Sequence, residues 1–157
     1  MAEGPRVGLG FDVHPPDPGR PLWLGGLRFA DEVGLAGHSD GDAVCHALAD
    51  ALLGAAAMGD VGEHFPDTDL SIAGISGVDL LAQATEMIRA SGFAPTSCDV
   101  TVIAERPAIG PRRAAMRERL GGVLGLPVDR VSVKATRPEG LGLSGDGIGC
   151  MAVVVLT

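Results

Sequence analysis

The apolar positions of this chain recur at two spacings, and the change from one to the other separates predicted strands from predicted helices. Residues 6–13 and 21–29 show the alternation that is typical of strands, and the Pro- and Gly-rich turn between them predicts a hairpin. Residues 41–58 instead carry apolar side chains every three or four positions. This pattern predicts an amphipathic helix that begins at a capping box formed by Ser39 and Asp42.

The remaining segments predict further helices and strands and one polar loop. They are a loop at 60–69, helices at 78–91 and 111–124, and strands at 99–106, 131–136 and 150–157. The resulting order, β-β-α-α-β-α-β-β, contains no internal repeat or linker. It predicts a single α+β domain over residues 1–157.

Composition and charge narrow the classes of partner. The net charge is −8, and an acidic surface repels the phosphate backbone that supplies most of the affinity for nucleic acid. The N-terminus lacks the apolar core of a signal peptide, and no run of about 18 apolar residues could span a bilayer. The widely spaced Cys45, Cys98 and Cys150 indicate neither a disulfide framework nor a thiolate metal cluster. We therefore expect a protein of a reducing cytosol that binds neither nucleic acid nor membrane.

A divalent metal site is predicted from three residues in two segments. Asp12 and His14 are two positions apart at a strand end and project to the same face, and His46 lies one turn into the first helix. Two imidazoles and one carboxylate leave the fourth position of a tetrahedral zinc open, as in catalytic sites. The Asp12–His14 pair and His46 are each weak evidence for a metal site when taken alone, because a lone histidine on a helix is more often a surface or core residue than a ligand. Cys45 is predicted to be a core residue and His64 a solvated loop residue.

The motifs of two enzyme classes are missing. Neither HExxH nor GxxxxGK[ST] is present, which disfavours protease and kinase functions. Two candidate anion sites remain: the pair His38 and Ser39 at a helix N-terminus, and the Gly-rich stretch 139–147. The simpler interpretation of those glycines as a turn is preferred. A metal with such anion sites suits phosphoryl chemistry, which depends on positioning and charge neutralisation.

Four segments carry a specific family resemblance. They are GFDVH at 10–14, GLAGHSDGD at 34–42, the long block at 46–69, and KAT at 134–136 followed by EGLG. Together they resemble the 2-C-methyl-D-erythritol 2,4-cyclodiphosphate synthases of the non-mevalonate isoprenoid pathway, nearly end to end. The resemblance implies conversion of 4-diphosphocytidyl-2-C-methyl-D-erythritol 2-phosphate into the 2,4-cyclodiphosphate with release of CMP.

The resemblance also implies site residues. Zinc is expected at Asp12, His14 and His46, magnesium or manganese at Glu139, and catalytic roles at His38 and Arg137. The implied substrate-binding residues are Asp12, Val13, His14, His38, Ser39, Asp60, Val61, Gly62, Phe65, Pro66, Asp67, Thr68, Asp69, Ala104, Pro107, Ala108, Ile109, Gly110, Thr136, Arg137, Glu139 and Leu143. The family further implies a mixed β-sheet flanked by helices, a homotrimer with each active site between two subunits, and a cytoplasmic location, or the plastid stroma in a plant-type source.

The chain departs from the family pattern near the C-terminal part of the implied site. Arg137 and Pro138 stand where relatives carry two threonines, the first of which is counted as a transition-state stabiliser, and Ala108 replaces a usual lysine of the cytidine loop. Leu143 and Asp146 fall near the positions of a Phe and an Arg that relatives place around a central cavity associated with isoprenoid diphosphates. An Asp cannot bind such an anion as the Arg would, so diphosphate binding in that cavity is not expected here. Two alternatives therefore stay open. One is a metal-dependent phosphohydrolase or cyclase with drifted specificity, and the other is a non-catalytic homologue that keeps zinc for folding or assembly.

Overall fold

Four long strands and three long helices dominate the structure, a computed structural model that describes residues 4–142 and 145–157. The strands are β1 (Arg6–His14), β2 (Pro16–Asp17), β3 (Leu22–Leu24), β4 (Leu27–Phe29), β5 (Gly34–Leu35), β6 (Pro95–Ile103), β7 (Val131–Thr136) and β8 (Ile148–Leu156). The helices are α1 (Ala43–Ala55), α2 (Val61–His64), α3 (Gly77–Ala90) and α4 (Arg113–Leu124). Short 3₁₀ turns lie at Leu70–Ile72, Gly110–Arg112 and Val128–Arg130.

The main sheet is mixed and has the strand order β1-β8-β6-β7. Strand β8 is antiparallel to both of its neighbours, whereas β6 and β7 are parallel. One hydrophobic core lies between this sheet and the helices, and it is built mainly from Ala, Val, Leu and Ile side chains. The predicted α+β fold with a mixed sheet flanked by helices is confirmed.

Helix α1 lies directly on strand β1 because two glycines leave room for its backbone. A Cβ atom on Gly8 would lie 1.9 Å from the carbonyl oxygen of Ala51, and one on Gly10 would lie 1.8 Å from that of Ala47. Side chains at these positions would therefore push the helix away from the strand. This close approach brings the first turns of α1 beside the C-terminal end of β1.

The predicted hairpin between residues 6–13 and 21–29 is wrong. Strand β1 pairs along its whole length with β8 instead, and the second segment folds onto itself as a β3–β4 hairpin. The turn at Gly25 and Gly26 has φ values of 60° and 74°, a conformation that glycine adopts without strain. The backbone N–H groups of both glycines donate to the buried carboxylate of Asp42, which fixes the hairpin to the start of α1.

Helix starts were predicted with mixed success. The cap of α1 is Asp42, which accepts from the N–H of Cys45, whereas the hydroxyl of Ser39 bonds to His46; the predicted capping box is therefore wrong. Ser76 caps α3 as predicted. The predicted loop 60–69 contains the short helix α2, because Asp60 accepts a hydrogen bond from the N–H of Glu63 and nucleates one turn.

The face of the sheet that points away from α1 is apolar and uncovered in a single chain. Its exposed fractions are Val7 65%, Leu9 63%, Phe11 46%, Val13 45%, Met151 42% and Val153 37%. Side chains of this size are normally buried against another surface. None of the helices in the described ranges is both long and apolar enough to traverse a membrane.

Candidate active site

Three side chains that are far apart in sequence meet at the junction of β1 and α1. His14 Nε2 lies 2.6 Å from Asp12 Oδ2 and 3.1 Å from His46 Nδ1. The third edge of this triangle, from His46 Nδ1 to Asp12 Oδ2, is 3.3 Å. The structure therefore brings together the three residues predicted to bind a metal, and they form a candidate metal cluster.

The local fold explains why these side chains converge. Asp12 and His14 alternate with exposed residues along β1, so they share the face that Gly8 and Gly10 open to α1. His46 lies on the first turn of α1, over the end of that strand. The cluster thus depends on the strand period, the helix start and the close approach of the two elements.

A hydrogen bond at the second nitrogen of each imidazole fixes the ring orientations. His14 Nδ1 donates to the carbonyl oxygen of Ala36 at 2.8 Å, which leaves the lone pair of Nε2 directed toward the cluster. His46 Nε2 lies 2.8 Å from the hydroxyl of Ser39, which leaves Nδ1 directed the same way. Metal-binding histidines are generally held by such outer contacts.

The spacing of the three ligand atoms suits a small tetrahedral ion. Ligand bonds of about 2.0–2.1 Å imply tetrahedral edges of about 3.3 Å. Two of the three edges, at 3.1 and 3.3 Å, are close to that value, and the 2.6 Å edge between His14 and Asp12 is a hydrogen bond that a metal would replace. Two imidazole nitrogens with one carboxylate form a ligand set that leaves a fourth position open.

Asp12 and His14 perturb one another's pKa values. Burial would raise the pKa of Asp12, but hydrogen bonds with His14 and His46 outweigh it and hold the pKa below its ordinary value. Burial would lower the pKa of His14, but the hydrogen bond with Asp12 outweighs it and raises the pKa. Without a metal, the cluster therefore favours an ionised carboxylate beside a protonated imidazole.

A cleft of about 290 Å³ opens beside the metal cluster. It is lined by His14, Gly37, His38, Ser39, His46, Val61, Gly62, Phe65, Pro66, Asp67, Asp69, Ile72, Ala73, Ile75 and Leu80. We call it the metal cleft. At its mouth, the exposed side chains of His38 and Asp67 lie 3.2 Å apart. Most of the residues predicted around the phosphates and the methylerythritol group are thereby brought together.

A carboxylate on α1 positions the far wall of the metal cleft. Asp50 Oδ1 accepts a hydrogen bond of 2.8 Å from the backbone N–H of Val61. Asp50 lies one helical turn beyond His46, so α1 carries both a metal ligand and the anchor for α2. Relative movement of Val61 and the metal cluster is thereby restricted.

Most of the residues predicted around cytidine line a second cleft. It is formed by Ala104, Glu105, Arg106, Pro107, Ala108, Ile109, Ala135, Thr136 and Arg137, at the C-terminal ends of the parallel strands β6 and β7. We call it the strand-end cleft. It shares no lining residue with the metal cleft. In residues 4–142 and 145–157 of a single chain, the two halves of the predicted substrate site therefore line separate cavities.

Several predicted site residues line neither cleft. Val13 exposes its side chain on the opposite face of β1. Asp60 caps α2, Thr68 and Gly110 are exposed next to lining residues, and Glu139 is exposed in the turn after β7 with φ 54°. Leu143 lies outside the described residues.

Sequence reasoning missed the backbone and apolar parts of the site. The carbonyl of Ala36 orients His14, and Gly37 lets that ring approach, since a Cβ there would lie 3.2 Å from it. Ile72, Ile75 and Leu80 form an apolar wall of the metal cleft. Gly37 was the only sequence signal for this close approach of the His14 ring. A backbone carbonyl that accepts a hydrogen bond cannot be recognised from the type of residue that carries it.

The prediction for Cys45 is confirmed, whereas the prediction for His64 is wrong. Cys45 is fully buried, which confirms its prediction as a core residue, and burial raises the pKa of its thiol well above the ordinary value. His64 is half-buried rather than solvated, because its Nε2 lies 2.7 Å from the carbonyl oxygen of Met58. His64 is not a member of the metal cluster.

Known proteins match this chain over nearly its whole length. Residues 5–157 match the sequence profile of the YgbB family. A protein of Symbiobacterium thermophilum named 2-C-methyl-D-erythritol 2,4-cyclodiphosphate synthase is 51% identical over 152 residues, which cover 96% of this chain and 97% of that protein. A solved 2C-methyl-D-erythritol-2,4-cyclodiphosphate synthase in a form with bound CDP is 39% identical, with a TM-score of 0.90 over 97% of this chain and 100% of that one. A Plasmodium falciparum IspF complex with CDP is 30% identical, with a TM-score of 0.83 over 99% and 97% of the two chains.

Proposed function

This chain belongs to the YgbB family, and on that premise we propose that it converts 4-diphosphocytidyl-2-C-methyl-D-erythritol 2-phosphate into 2-C-methyl-D-erythritol 2,4-cyclodiphosphate with release of CMP. It is an enzyme of the isoprenoid-pathway cyclodiphosphate synthase type, a lyase. The reaction just stated is supported above all by the convergence of Asp12, His14 and His46 beside a cleft that holds His38.

The proposed reaction needs no strong protein base. An oxygen of the 2-phosphate attacks the β-phosphorus of the same molecule, and the bond from that phosphorus to the oxygen of the CMP phosphate breaks. CMP leaves with the electron pair of that bond. The nucleophile is already an anion, so none of the histidines and carboxylates that line the metal cleft has to act as a general base. The work left to the protein is orientation and charge neutralisation.

Asp12, His14 and His46 would hold the proposed zinc ion. When bound, zinc would supply positive charge to the diphosphate oxygens. The hydrogen bonds that the two imidazoles make with the carbonyl of Ala36 and the hydroxyl of Ser39 keep both rings oriented for this role. Glu139 is proposed to hold magnesium or manganese together with the substrate phosphates, since one carboxylate plus phosphate oxygens is a usual environment for such an ion.

We assign the small-molecule half of the substrate to the metal cleft. His38 lies at the mouth of the cleft, where its imidazole can donate to a phosphate oxygen as charge develops. The acceptors of Asp67 and Asp69 suit the hydroxyl groups of methylerythritol. A volume of about 290 Å³ lies at the low end of ligand pockets, so the nucleotide has to extend elsewhere.

We assign the cytidine half to the strand-end cleft. The backbone groups of residues 104–110 can read the edge of the base, and Thr136 lines the same cleft. Arg137 lines the same cleft with its guanidinium exposed. That cation could neutralise a phosphate through two parallel hydrogen bonds, a role that a threonine hydroxyl plays with less charge.

We propose that a homotrimer joins the metal cleft of one subunit to the strand-end cleft of the next. Two observations support this assembly. The two clefts share no lining residue in one chain. The apolar face of β1 and β8 exposes six large side chains, and such a face suits burial between subunits.

The cytoplasm is the proposed compartment. Cys45, Cys98 and Cys150 are free and buried in the described structure. Unpaired thiols are typical of proteins that work in reducing compartments.

Product analysis tests the proposed reaction. Purified protein is incubated with zinc, magnesium and the named substrate, and phosphorus NMR follows the products, with a chelated sample as control. Cyclodiphosphate and CMP in equal amounts, formed only with metal, are expected. Linear phosphates would favour a phosphohydrolase of drifted specificity. Unchanged substrate would favour a non-catalytic homologue in which Arg137 and Pro138 disable the site.

A further inference from the structure

Arg20 lines neither cleft but contacts the backbone of the segment that supports the metal cluster. It lies in the turn between β2 and β3 and is partly buried. Its Nη1 donates to the carbonyl oxygen of Gly37 at 2.8 Å, and its Nη2 donates to the carbonyl oxygen of Ser39. These two carbonyls flank His38. One guanidinium therefore holds the backbone on both sides of the proposed catalytic imidazole.

The segment that Arg20 holds also orients both metal-ligand rings. The carbonyl of Ala36 accepts from His14 Nδ1, and the hydroxyl of Ser39 bonds to His46 Nε2. Four consecutive residues, 36–39, thus supply both outer contacts of the metal cluster and His38 between them. A shift of this segment would turn the two rings and move His38 together.

Few other bonds fix the backbone of this segment. Ala36 N donates to the carbonyl of Pro15 at 2.9 Å, and the carbonyl of His38 accepts from Gly74 N at 3.1 Å. Both Gly37 and His38 are exposed. The two bonds from Arg20 therefore form a large share of what holds the centre of the segment in place.

The chemistry of the contact favours arginine over lysine. The two terminal nitrogens of the planar guanidinium can donate to both carbonyls that flank His38 at the same time. The ammonium group of a lysine is a single point of charge and could reach only one of these carbonyls well. Among the described residues, no carboxylate lies within ion-pair distance of Arg20. Its guanidinium is thus directed to the segment rather than to a surface ion pair.

We propose that Arg20 is a positioning residue of the active site, which sets the metal-ligand imidazoles and His38 through the backbone of residues 36–39. The proposal rests on the proposed function for its kinetic consequences. Its consequence for metal binding does not depend on any substrate.

Three variants and one control test the proposal. They are Arg20→Met, Arg20→Lys and Arg20→Ala, with Arg130→Met as the control, because Arg130 is exposed and has no side-chain hydrogen bond or ion pair in residues 4–142 and 145–157. Zinc affinity is measured by competition with a chelator, and the site geometry is followed by the visible spectrum of bound cobalt. Melting temperature separates folding from positioning.

Loss of zinc affinity is the expected result. Outer contacts of metal ligands typically contribute 10- to 100-fold, so Arg20→Met is expected to lower zinc affinity by about 10-fold and to change the cobalt spectrum. Arg20→Lys should show an intermediate loss, and Arg130→Met none. Added guanidinium should restore part of the zinc affinity of Arg20→Ala, because the vacated position is open to solvent. With substrate, kcat should fall and KM should change little.

Two outcomes would overturn the proposal. One is an Arg20→Met protein with the zinc affinity and cobalt spectrum of the parent. The other is a loss of affinity that follows the loss in melting temperature and is not restored by guanidinium in Arg20→Ala, which would show a purely structural role. If Arg20→Met fails to fold, the Arg20→Lys comparison decides by the same readouts. A parent protein that binds zinc normally but leaves the substrate unchanged would contradict the proposed function and not the role of Arg20.

Discussion

Each imidazole of the metal cluster directs one nitrogen into the cluster and uses the other nitrogen for a hydrogen bond to a supporting group. His14 is held by the carbonyl of Ala36 and His46 by the hydroxyl of Ser39. Because the support fixes the ring, the nitrogen that faces Asp12 has little freedom to find another partner. Rings restrained in this way lose less entropy when a metal binds.

Removal of one ligand should abolish metal binding without unfolding the protein. In His46→Ala, only one imidazole and one carboxylate remain, so zinc affinity is expected to fall at least about 100-fold, and turnover should be lost with it. The control His64→Ala removes a histidine that lies outside the cluster and should retain both. Zinc content by atomic absorption and folding by circular dichroism check the pair. Normal turnover by a His46→Ala protein that contains no zinc would refute the metal role.

Zinc affinity should depend on pH in a direction set by His14. The metal needs the lone pair of His14 Nε2, and the hydrogen bond with Asp12, which outweighs burial, raises the pKa of this imidazole. Protons therefore compete as the pH falls through the raised pKa, so affinity should begin to decline above the ordinary histidine pKa of about 6.5. Once the pH is below the pKa of His14, zinc must displace one proton to bind, and zinc affinity should fall about 10-fold for each further pH unit. Chelator competition across this range checks the profile, and a decline that begins only below the ordinary value would contradict the raised pKa.

At the residue scale, the sequence predicted the features of the site that depend on side-chain type and on spacing along the chain. Asp12, His14 and His46 were found because strand alternation and the helix start place them together. The supports of the rings were not found, since the carbonyl of Ala36 belongs to the backbone and Arg20 acts across 17 to 19 positions of sequence. Nothing in residue type distinguishes such partners from ordinary loop residues.

Helix α1 contributes His46 to the metal cluster, and its distance from β1 controls the geometry of that cluster. Gly8 and Gly10 let the backbone of the helix touch the strand. Asp42 holds the start of α1 to the β3–β4 turn, and Asp50 links the same helix to Val61. The helix is thereby fixed at its start, along its length and toward the wall of the metal cleft.

A methyl group between α1 and β1 should damage both stability and metal binding. In Gly10→Ala, the new Cβ would lie 1.8 Å from the carbonyl oxygen of Ala47, so helix and strand must separate. Overpacking of this kind typically costs about 1–3 kcal/mol or more, and separation also moves His46 away from Asp12. Urea unfolding and zinc affinity measure the two effects.

The same substitution elsewhere on α1 provides the control. A Cβ on the exposed Gly54 meets nothing within 4 Å. Gly54→Ala should therefore leave zinc affinity unchanged and stabilise the helix by up to about 1 kcal/mol. Equal stability of Gly10→Ala and Gly54→Ala would contradict the close contact of helix and strand.

Element types were predicted better than element partners. The four long strands and three long helices were each expected near their observed positions, because their periodicity is local. The pairing of β1 with β8 was not expected, since it joins the two ends of the chain and depends on the core as a whole. The Gly25–Gly26 turn, which splits the segment 21–29 into two strands, was hidden inside an apolar run.

At the scale of the whole molecule, two features remain incomplete in one chain. The metal cleft and the strand-end cleft share no lining residue, and the outer face of β1 and β8 is apolar. Subunit association around that face would cover the apolar surface and could bring one cleft of each type together. The sequence alone suggested this only through the family resemblance, because assembly leaves no periodic signal.

A charge on the apolar face should break the proposed assembly. Leu9 is 63% exposed in the middle of that face, and Leu9→Lys would place an ammonium where subunits are proposed to meet. Light scattering should show a monomer that still folds. The control Leu70→Lys alters a residue that is 85% exposed but lies in a 3₁₀ turn away from the sheet, and it should leave the assembly intact. A monomeric parent protein would contradict the trimer.

Mixed assemblies test most directly whether one active site is built from two subunits. His46→Ala disables the metal cleft, and Ala108→Trp fills the strand-end cleft, where Ala108 is exposed. Each variant alone should be inactive toward the named substrate. Co-expression of the two should restore up to roughly one quarter of the parent activity, because that share of the interfaces pairs two intact clefts in a random cyclic trimer. Mixtures as inactive as the separate variants would place both clefts in one chain, or outside the reaction, and would contradict the shared site.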